Sequence, residues 1–298
     1  MYAHFTQKEV IMKRNLLKEI EERRSTFSKG QKLIAAYILE NYDKAAYMTA
    51  AKLGRVVNVS ESTVVRFAIE LGFEGYPEFQ HSLKEIVRTR LTAFQRMEVT
   101  NNLIGDGDVL TKVLLADSDK IKHTLEEIDR ASFSDAVDKI INAKNIYVMG
   151  VRSSASLAGF LAHNLSMVFD NVKLVQPASG SEMFEQIMNI SSDDVMVAIS
   201  FPRYSKKMIN AVDYAKNNGS NIIAITDSDM APIAAHADQK LLARSDMASF
   251  VDSLVAPLSI INAIIVAVAR KKQEELTTRL RKLEDIWDEY DVYDKNLG

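Results

Sequence analysis

The chain has 298 residues, more than one hydrophobic core usually occupies, so we expect two domains. It contains no cysteine, which excludes disulfides, thiolate metal ligands and cysteine nucleophiles and fits a cytoplasmic location. The net charge of -3 argues against unspecific coating of nucleic acid. Met1–Glu22 lacks the apolar run of a signal peptide, and the apolar stretch Leu254–Ala269 is short for a membrane span. We therefore expect a soluble protein.

Helical periodicity without alternating runs extends through residues 1–80. Leu33, Ile34, Tyr37 and Ile38 have the spacing of one face of an amphipathic helix. Further helices are predicted at about Thr49–Val56, Ser60–Leu71 and Pro77–Phe94. The first 80 residues also have a slight excess of basic over acidic side chains, which is compatible with a small DNA-binding module.

The segment from Met48 to Gly72 has the signals of two short helices joined by a tight turn. Thr49 and Ser60 are natural N-caps, Asn58 tolerates a left-handed turn position, and Gly72 is a helix C-terminal residue. The second of these helices has an apolar face that is expected to pack inward. At helical spacing, this face consists of Val64, Phe67, Ala68 and Leu71. This pattern predicts a helix-turn-helix whose second helix enters a DNA major groove.

Polar side chains on the outward face of this segment are the candidate DNA contacts. Arg66 suits a phosphate or a guanine edge, and the hydroxyls and free N–H groups at the start of the second helix suit phosphates or base edges. The predicted DNA-binding residues are Lys52, Arg55, Ser60, Glu61, Ser62, Thr63 and Arg66. The alternative is an ordinary amphipathic hairpin in a helical bundle, with Arg66 as a solvated surface residue.

Beyond a polar stretch at about Thr100–Gly107 and a helical segment Leu110–Leu125, short apolar runs alternate with helical patterns. Such alternation predicts βαβ units and a parallel sheet that is buried on both faces. The predicted strands are Ile146–Met149, Lys173–Val175, Val195–Ile199, Ile222–Thr226 and Lys240–Ala243. The predicted helices between and after them are Ser154–Phe169, Gly180–Asn189, Lys206–Asn217, a short turn at Met230–His236, Leu254–Lys271 and Glu274–Glu289.

Two of these strands lead into hydroxyl-rich loops that precede helices, at Gly150–Ser154 and Ser200–Ser205. Ligands of parallel α/β sheets bind beyond the carboxyl ends of strands, where helix N-termini present free N–H groups. The loops therefore suit a phosphate monoester, although serines at such positions are most often plain N-caps. Neither a dinucleotide-binding GxGxxG nor a phosphate-binding GxxxxGK[ST] motif is present.

With these loops and with Ser60–Phe67, Leu71–Phe73, Gly75–Tyr76, Ala224–Asp227, Pro232 and Ala237–Asp238, the sequence resembles the RpiR/MurR family of bacterial regulators over nearly its whole length. The resemblance implies a SIS (sugar isomerase) domain with a five-stranded parallel sheet, a phosphosugar effector, and dimers or tetramers formed largely through that domain. It also implies that Ser153, Ser154, Ser200 and Ser205 lie at the phosphate loops.

The chain departs from the family pattern at Arg152, where Gly is usual, and at Pro202-Arg203, where Ser-Gly is usual. The two arginines predict an effector with extra negative charge, such as a sugar-acid phosphate, because Arg pairs well with carboxylate and phosphate. Alternatively they bridge acids such as Asp194 or Glu182. The expected effector-binding residues are Arg152, Ser153, Ser154, Ser200, Arg203, Tyr204 and Ser205.

Catalysis is the main alternative, because the SIS fold also houses aldose–ketose isomerases. Such an enzyme needs a positioned base, for which Glu182, His163 and His236 are the candidates. Each has a simpler interpretation: Glu182 as a helix N-terminal acid, His163 as a helix-packing residue and His236 as a surface residue near a turn. The histidines lack metal-site spacing, so we expect no metal and no cofactor. Because an appended DNA-binding domain has no use in a metabolic isomerase, we also expect no enzymatic activity. A further alternative is a module that binds protein rather than DNA.

These observations predict an all-α DNA-binding domain at 1–80, a helical linker at 81–125, an α/β SIS domain at 126–272 and a charged helix at 273–298. Operator DNA and a phosphosugar are the expected partners. We expect a homodimer or homotetramer, with Leu254–Ala269 and the segment after Glu274 contributing to it. Coupling between the two functions is expected to pass through the helices from Glu78 to Leu125.

Overall fold

The computed structural model describes residues 16–90, 92, 94–97, 107–176, 179–246 and 251–293. Their contacts form two compact units. One unit comprises the described residues before Asp108 together with Val251, and the other comprises the rest. The region predicted as a linker, 81–125, is thus divided between the two units. Within the described residues, no helix is long and apolar enough to cross a membrane.

The first unit is helical. Its helices are α1 (Leu16–Glu22), α2 (Lys29–Ala45), α3 (Ala50–Val56), α4 (Glu61–Glu70) and α5 (Tyr76–Arg90). Local capping explains where α2 begins: the Ser28 side chain accepts from the Gln31 amide, and the Gln31 side chain accepts from the Ser28 amide.

An aromatic cluster forms the centre of this unit. The ring of Phe67 on α4 makes edge contacts with Phe27 and Phe79, at centroid distances of 5.1 and 5.8 Å. Phe79, Leu83 and Val87 of α5 are fully buried in the same core. The helix predicted from Pro77 is therefore part of the first unit. Ile34 and Ile38 of α2 are buried as expected, but Leu33 is 48% exposed, because it lies about 100° around the helix from Ile34.

The second unit is an α/β domain. Its elements are α6 (Val109–Glu127), α7 (Arg130–Asn142), β1 (Ile146–Gly150), α8 (Ser154–Ser166), β2 (Val172–Val175), α9 (Gly180–Ile187), β3 (Val195–Ile199), α10 (Lys206–Asn217), β4 (Asn221–Thr226), β5 (Gln239–Leu242), α11 (Val255–Lys271) and α12 (Gln273–Glu289). A short 3-10 turn, Pro232–Ala235, precedes β5. The five strands are parallel, in the order β2-β1-β3-β4-β5.

Both faces of the sheet are covered, which explains the unbroken apolar strands. Along β3, Val195, Val197 and Ile199 pack into a core shared with α7, α8 and α11. The alternate residues Met196 and Ala198 pack on the other face, against α9 and α10. A strand covered on both sides needs apolar residues at every position, as the sequence of β3 shows.

Candidate functional site

Helices α3 and α4 form the helix-turn-helix that the sequence predicts. The Thr49 hydroxyl accepts from the Lys52 amide, and the Ser60 hydroxyl accepts from the Thr63 amide, both at 3.2 Å. Asn58 in the intervening turn has φ 56°, the left-handed conformation that asparagine tolerates. Gly72 follows α4 with φ 92°. Each of these local expectations is confirmed.

Two glycines that the sequence argument did not single out bring the helices together. A Cβ at Gly54 on α3 would lie 2.8 Å from the carbonyl oxygen of Val59. Only glycine therefore allows the backbone of the turn to approach α3 this closely. Gly30 on α2 faces the Thr63 methyl group at 3.3 Å. Glycines inside helices, where they are intrinsically unfavourable, were the available signal for such close approach.

The predicted DNA-binding residues lie on α3, on α4 or at the N-cap of α4. Val64, Phe67, Ala68 and Leu71 are buried, as expected. Six of the seven predicted DNA contacts are exposed, and the seventh, Thr63, is half-buried: the exposed ones are Lys52, Arg55, Ser60, Glu61, Ser62 and Arg66. The Ser60 hydroxyl also contacts the hydroxyls of Ser62 and Thr63, at 2.9 and 2.8 Å. Ser60 is thus engaged in holding the first turn of α4.

In the second unit, the sheet order reverses direction between β1 and β3. The chain moves from β1 outward to β2, and then returns to place β3 on the other side of β1. The last residues of β1 and β3, Gly150 and Ile199, are register partners. The loops that follow these strands therefore leave the sheet side by side. Such a switch point is where open α/β sheets bind ligands.

The first loop is shaped by close backbone packing. A Cβ at Gly150 would lie 2.1 Å from the carbonyl oxygen of Ser154, so only glycine fits. Arg152 has φ 60°, a left-handed conformation that favours glycine. Arg152 and Ser153 are exposed, whereas Ser154 is buried.

Ser153 and Ser205 occupy the N-cap positions of α8 and α10, yet neither side chain makes a capping hydrogen bond. Elsewhere in the chain, N-cap side chains are engaged: those of Ser28, Thr49, Ser60 and Ser179 each accept from a first-turn amide. The plain-cap interpretation therefore does not describe Ser153 and Ser205. In the first turn of α8 the Ala155 amide donates to the Arg152 carbonyl at 3.1 Å, whereas the hydroxyls of Ser153 and Ser205 cap no amide and remain available to an anion.

The second loop is anchored to the end of β4. The Ser200 amide donates to the Ile225 carbonyl at 3.1 Å, and the Thr226 hydroxyl donates to the Ser200 carbonyl at 2.7 Å. The Tyr204 hydroxyl donates to the buried Asp227 carboxylate, with distances of 3.0 and 3.2 Å to its two oxygens. Sequence reasoning placed Tyr204 in the site but missed Asp227. The signal that could have identified Asp227 was the position of this acid directly after a buried strand that neighbours β3.

Arg152 and Arg203 are exposed, and neither forms an ion pair in the part of the chain that the structure describes. The alternative of a bridge to Asp194 fails on position, because Asp194 directly precedes β3, at the opposite edge of the sheet. Burial raises the pKa of Asp194, but hydrogen bonds from Asn145 and Ser191 outweigh burial, so that its pKa is lowered overall. The two guanidinium groups therefore remain available to a ligand.

Of the three residues considered as isomerase bases, the two histidines lie away from the switch point. His163 is exposed near the end of α8, and α8 runs away from the carboxyl edge of the sheet. His236 precedes β5, with its Nε2 3.2 Å from Asp213 Oδ1. Glu182 lies in the first turn of α9. Among the described residues, no cluster of side chains is suited to holding a metal ion.

Comparison with known proteins agrees with this architecture. The family model for the helix-turn-helix domain of the rpiR family matches residues 14–89, and the SIS domain model matches residues 139–267. The regulator HexR of Escherichia coli K12 is 26% identical over 298 residues, covering 95% of this chain and 97% of HexR. An uncharacterised HTH-type regulator of Caldanaerobacter subterraneus is 25% identical and covers 91% of this chain and 96% of its own length.

Among solved structures, the Vibrio vulnificus NanR protein complexed with ManNAc-6P aligns with a TM-score of 0.58. It is 21% identical and covers 93% of this chain and 99% of the NanR chain, so it supports the fold. The RpiR transcription factor from Sphaerobacter thermophilus, represented by its sugar isomerase domain, aligns with a TM-score of 0.56. With both of its domains matched by family models, the chain belongs to the RpiR family of helix-turn-helix transcriptional regulators and carries a SIS domain.

Proposed function

We propose that the affinity of α4 for operator DNA is controlled by a phosphosugar bound at the carboxyl edge of the sheet. The observation that carries this proposal is the pair of N-cap serines, Ser153 and Ser205, whose hydroxyls cap no amide although they stand at the switch point. NanR, a structural neighbour, is described as complexed with ManNAc-6P, a ligand of the proposed chemical class.

The phosphate is proposed to contact the N-terminal turns of α8 and α10. Both turns present amides without intrahelical partners, and the positive ends of the two helix dipoles favour an anion there. Ser153 and Ser205 supply hydroxyl donors, and the buried Ser154 and Ser200 complete the floor. The sugar hydroxyls are proposed to face Tyr204 and Asp227, which form the adjoining wall.

Arg152 and Arg203 are proposed to select an effector that carries a carboxylate as well as a phosphate. Calorimetric titration with a sugar phosphate and with the matching sugar-acid phosphate tests this selection. We expect the acid to bind at least about tenfold more tightly, which corresponds to one charge-assisted hydrogen bond. Arg152→Ala with Arg203→Ala should erase the preference, and Arg281→Ala, an exposed arginine on α12, should keep it. Equal affinities in the wild-type protein would refute the proposal.

On the DNA face, Arg66 and the first turn of α4 are proposed to read base edges, while Lys52 and Arg55 contact phosphates. Gel-shift titration at several salt concentrations tests this division of roles. Arg66→Ala should reduce discrimination between operator and control DNA, whereas Lys52→Ala should weaken binding to both and lower the salt dependence by about one ion. Salt-independent binding, or no binding to upstream DNA, would favour the alternative of a protein-binding module.

The proposed regulation depends on thermodynamic linkage between effector binding and DNA binding. An effector changes DNA affinity only if it binds the DNA-competent and DNA-incompetent states with different affinity, and operator DNA must then change effector affinity by the same factor. Measuring effector affinity with and without saturating operator checks this reciprocity. An unchanged effector affinity would separate the two sites and refute the regulatory proposal.

We propose that the protein is not an isomerase, because His163 and His236 lie away from the switch point. Incubating purified protein with phosphosugars and following the carbonyl position by NMR is the test. Turnover that is abolished by Glu182→Gln would reverse this conclusion.

A further inference from the structure

The beginning of α2 carries two lysines and no acidic side chain. Lys29 and Lys32 are both exposed, and no acid occurs from Lys29 to Ala36. Acidic side chains stabilise the N-terminal end of a helix and cations destabilise it, because the helix dipole is positive at this end. The two lysines therefore occupy positions that do not favour α2 itself, which points to a role outside the helix.

Neither lysine has a counter-charge within the unit. Among the residues that the structure describes, Lys29 and Lys32 form no ion pair. On the neighbouring helix α1, by contrast, the Nζ atom of Lys18 lies 3.5 Å from Oε1 of Glu22. The surface at the beginning of α2 thus keeps its positive charge, which is available to an anionic partner.

These lysines lie beside the first turn of α4. Gly30, which stands next to Lys29 in the chain, faces that turn: an added Cβ would lie 3.3 Å from the Thr63 methyl group and 3.5 Å from a Val59 methyl group. A side chain at position 30 would crowd these methyl groups. The glycine therefore allows the backbone that carries Lys29 and Lys32 to pack directly against the start of α4.

The dimensions of DNA determine what lies next to a helix in the major groove. An α-helix with its side chains is about 10–12 Å across, and the major groove of B-DNA is about 12 Å wide. A helix that enters the groove with its N-terminal residues, as proposed for α4, therefore nearly fills it. A segment that touches the first turn of such a helix lies over a phosphate strand at the edge of the groove. The lysines of α2 belong to a segment in this position.

We propose that Lys29 and Lys32 bind the sugar–phosphate backbone of duplex DNA, in addition to the phosphate contacts proposed for Lys52 and Arg55 on α3. This inference rests on the proposed DNA-binding role of α4. It assigns no base recognition to α2, because a lysine ammonium on a flexible chain acts toward phosphate as a point charge. The contacts from α2 hold α4 in register on the duplex, and α4 reads the sequence.

Fluorescence anisotropy of the full-length protein with a labelled duplex of arbitrary sequence, at several salt concentrations, tests the proposal. An operator is not needed, because phosphate contacts do not depend on sequence. The double variant Lys29→Ala, Lys32→Ala should lower the slope of log affinity against log salt by about 1.8 and weaken binding at least about fivefold at about 0.1 M salt. The matched control, Lys122→Ala with Lys282→Ala, removes two exposed lysines of the second unit and should keep the wild-type slope.

Two further measurements distinguish a DNA contact from a structural role. Because the lysines do not favour α2, the double alanine variant should melt at the wild-type temperature or above it. Lys29→Arg with Lys32→Arg keeps both charges and should keep the wild-type slope. An unchanged slope in the alanine variant, or an equal fall in the control, would overturn the proposal and leave the DNA-binding role of α4 intact. A wild-type protein that binds no DNA at low salt would refute both.

Discussion

Arg152 shows how a residue with an unfavourable backbone conformation can still suit the proposed effector site. Its left-handed backbone conformation costs a non-glycine residue about 1–2 kcal/mol. The same conformation leaves an exposed guanidinium in the loop between β1 and α8. Replacing Arg152 by glycine would relieve the strain but remove the charge. The residue therefore fits a role in binding better than a role in stability.

At the same scale, Tyr204→Phe removes the phenol that donates to Asp227 and leaves a buried carboxylate with one donor fewer. We expect a loss of about 1–3 kcal/mol in the free energy of unfolding, since the desolvated carboxylate loses one of its donors, and weaker binding of the proposed effector. Tyr214→Phe is the control, because the Tyr214 hydroxyl donates only to the neutral Met188 carbonyl. Chemical denaturation of both variants measures the difference. Equal losses would indicate that the Asp227 contact has no special importance.

A second residue, Tyr76, is expected to make the stability of the first unit depend on pH. Burial raises the pKa of Tyr76 to about 12. An unfolded tyrosine ionises near pH 10, so the folded state retains a proton that the unfolded state has lost. Stability from this group is present below pH 10 and is lost as the pH rises toward 12.

We therefore expect Tyr76→Phe to have a flatter pH dependence of unfolding between pH 10 and 12 than the wild-type protein. The variant loses one hydrogen bond to the Met48 carbonyl, but Gln80 still donates to that carbonyl at 2.7 Å, so the fold should persist. Denaturant titrations across this pH range provide the measurement. Parallel curves for the two proteins would contradict the assignment.

At the scale of elements, the geometry of the helix-turn-helix depends on the contact between Gly54 and the Val59 carbonyl. In Gly54→Ala the added methyl meets backbone, which cannot move aside as a flexible side chain would. We expect a loss of about 1–3 kcal/mol despite the better helix propensity of alanine, together with weaker operator binding. Gly75→Ala in the same unit meets only the Pro77 ring at 3.7 Å and should change neither thermal melting nor binding. An unaffected Gly54→Ala variant would show that α3 and α4 can separate freely.

The elements were largely predictable from sequence, because each depends on local signals. Asn58, Ser60 and Gly72 mark the turn, cap and end of α4 by their own backbone preferences. The partners of surface residues were not predictable in this way. Leu33 and the leucines of α6 satisfy a helical pattern, yet tertiary contacts decide which side of that pattern is buried. The Tyr204–Asp227 contact joins residues from different loops, and only the strand order brings them together.

At the scale of the whole molecule, two-fold pairing would dictate the arrangement of the operator. Paired helix-turn-helix units read half-sites about one DNA turn apart on the same side of the duplex. Inserting about 5 base pairs between the half-sites rotates them to opposite sides and should reduce affinity at least tenfold, while about 10 base pairs should partly restore it. Gel shifts with the three DNA duplexes make the comparison. Equal affinities would mean that each chain binds DNA on its own.

The absence of side-chain caps at Ser153 and Ser205 has a consequence for how the SIS domain would bind the proposed effector. Helices α8 and α10 lack the stabilisation that a side-chain cap provides, so amides of their first turns can donate to a bound anion. An anion bound there acts as the cap that the polypeptide omits. Under the proposed function, binding of the effector would at the same time complete the first turns of the two helices, so the ligand would serve for a time as part of the secondary structure.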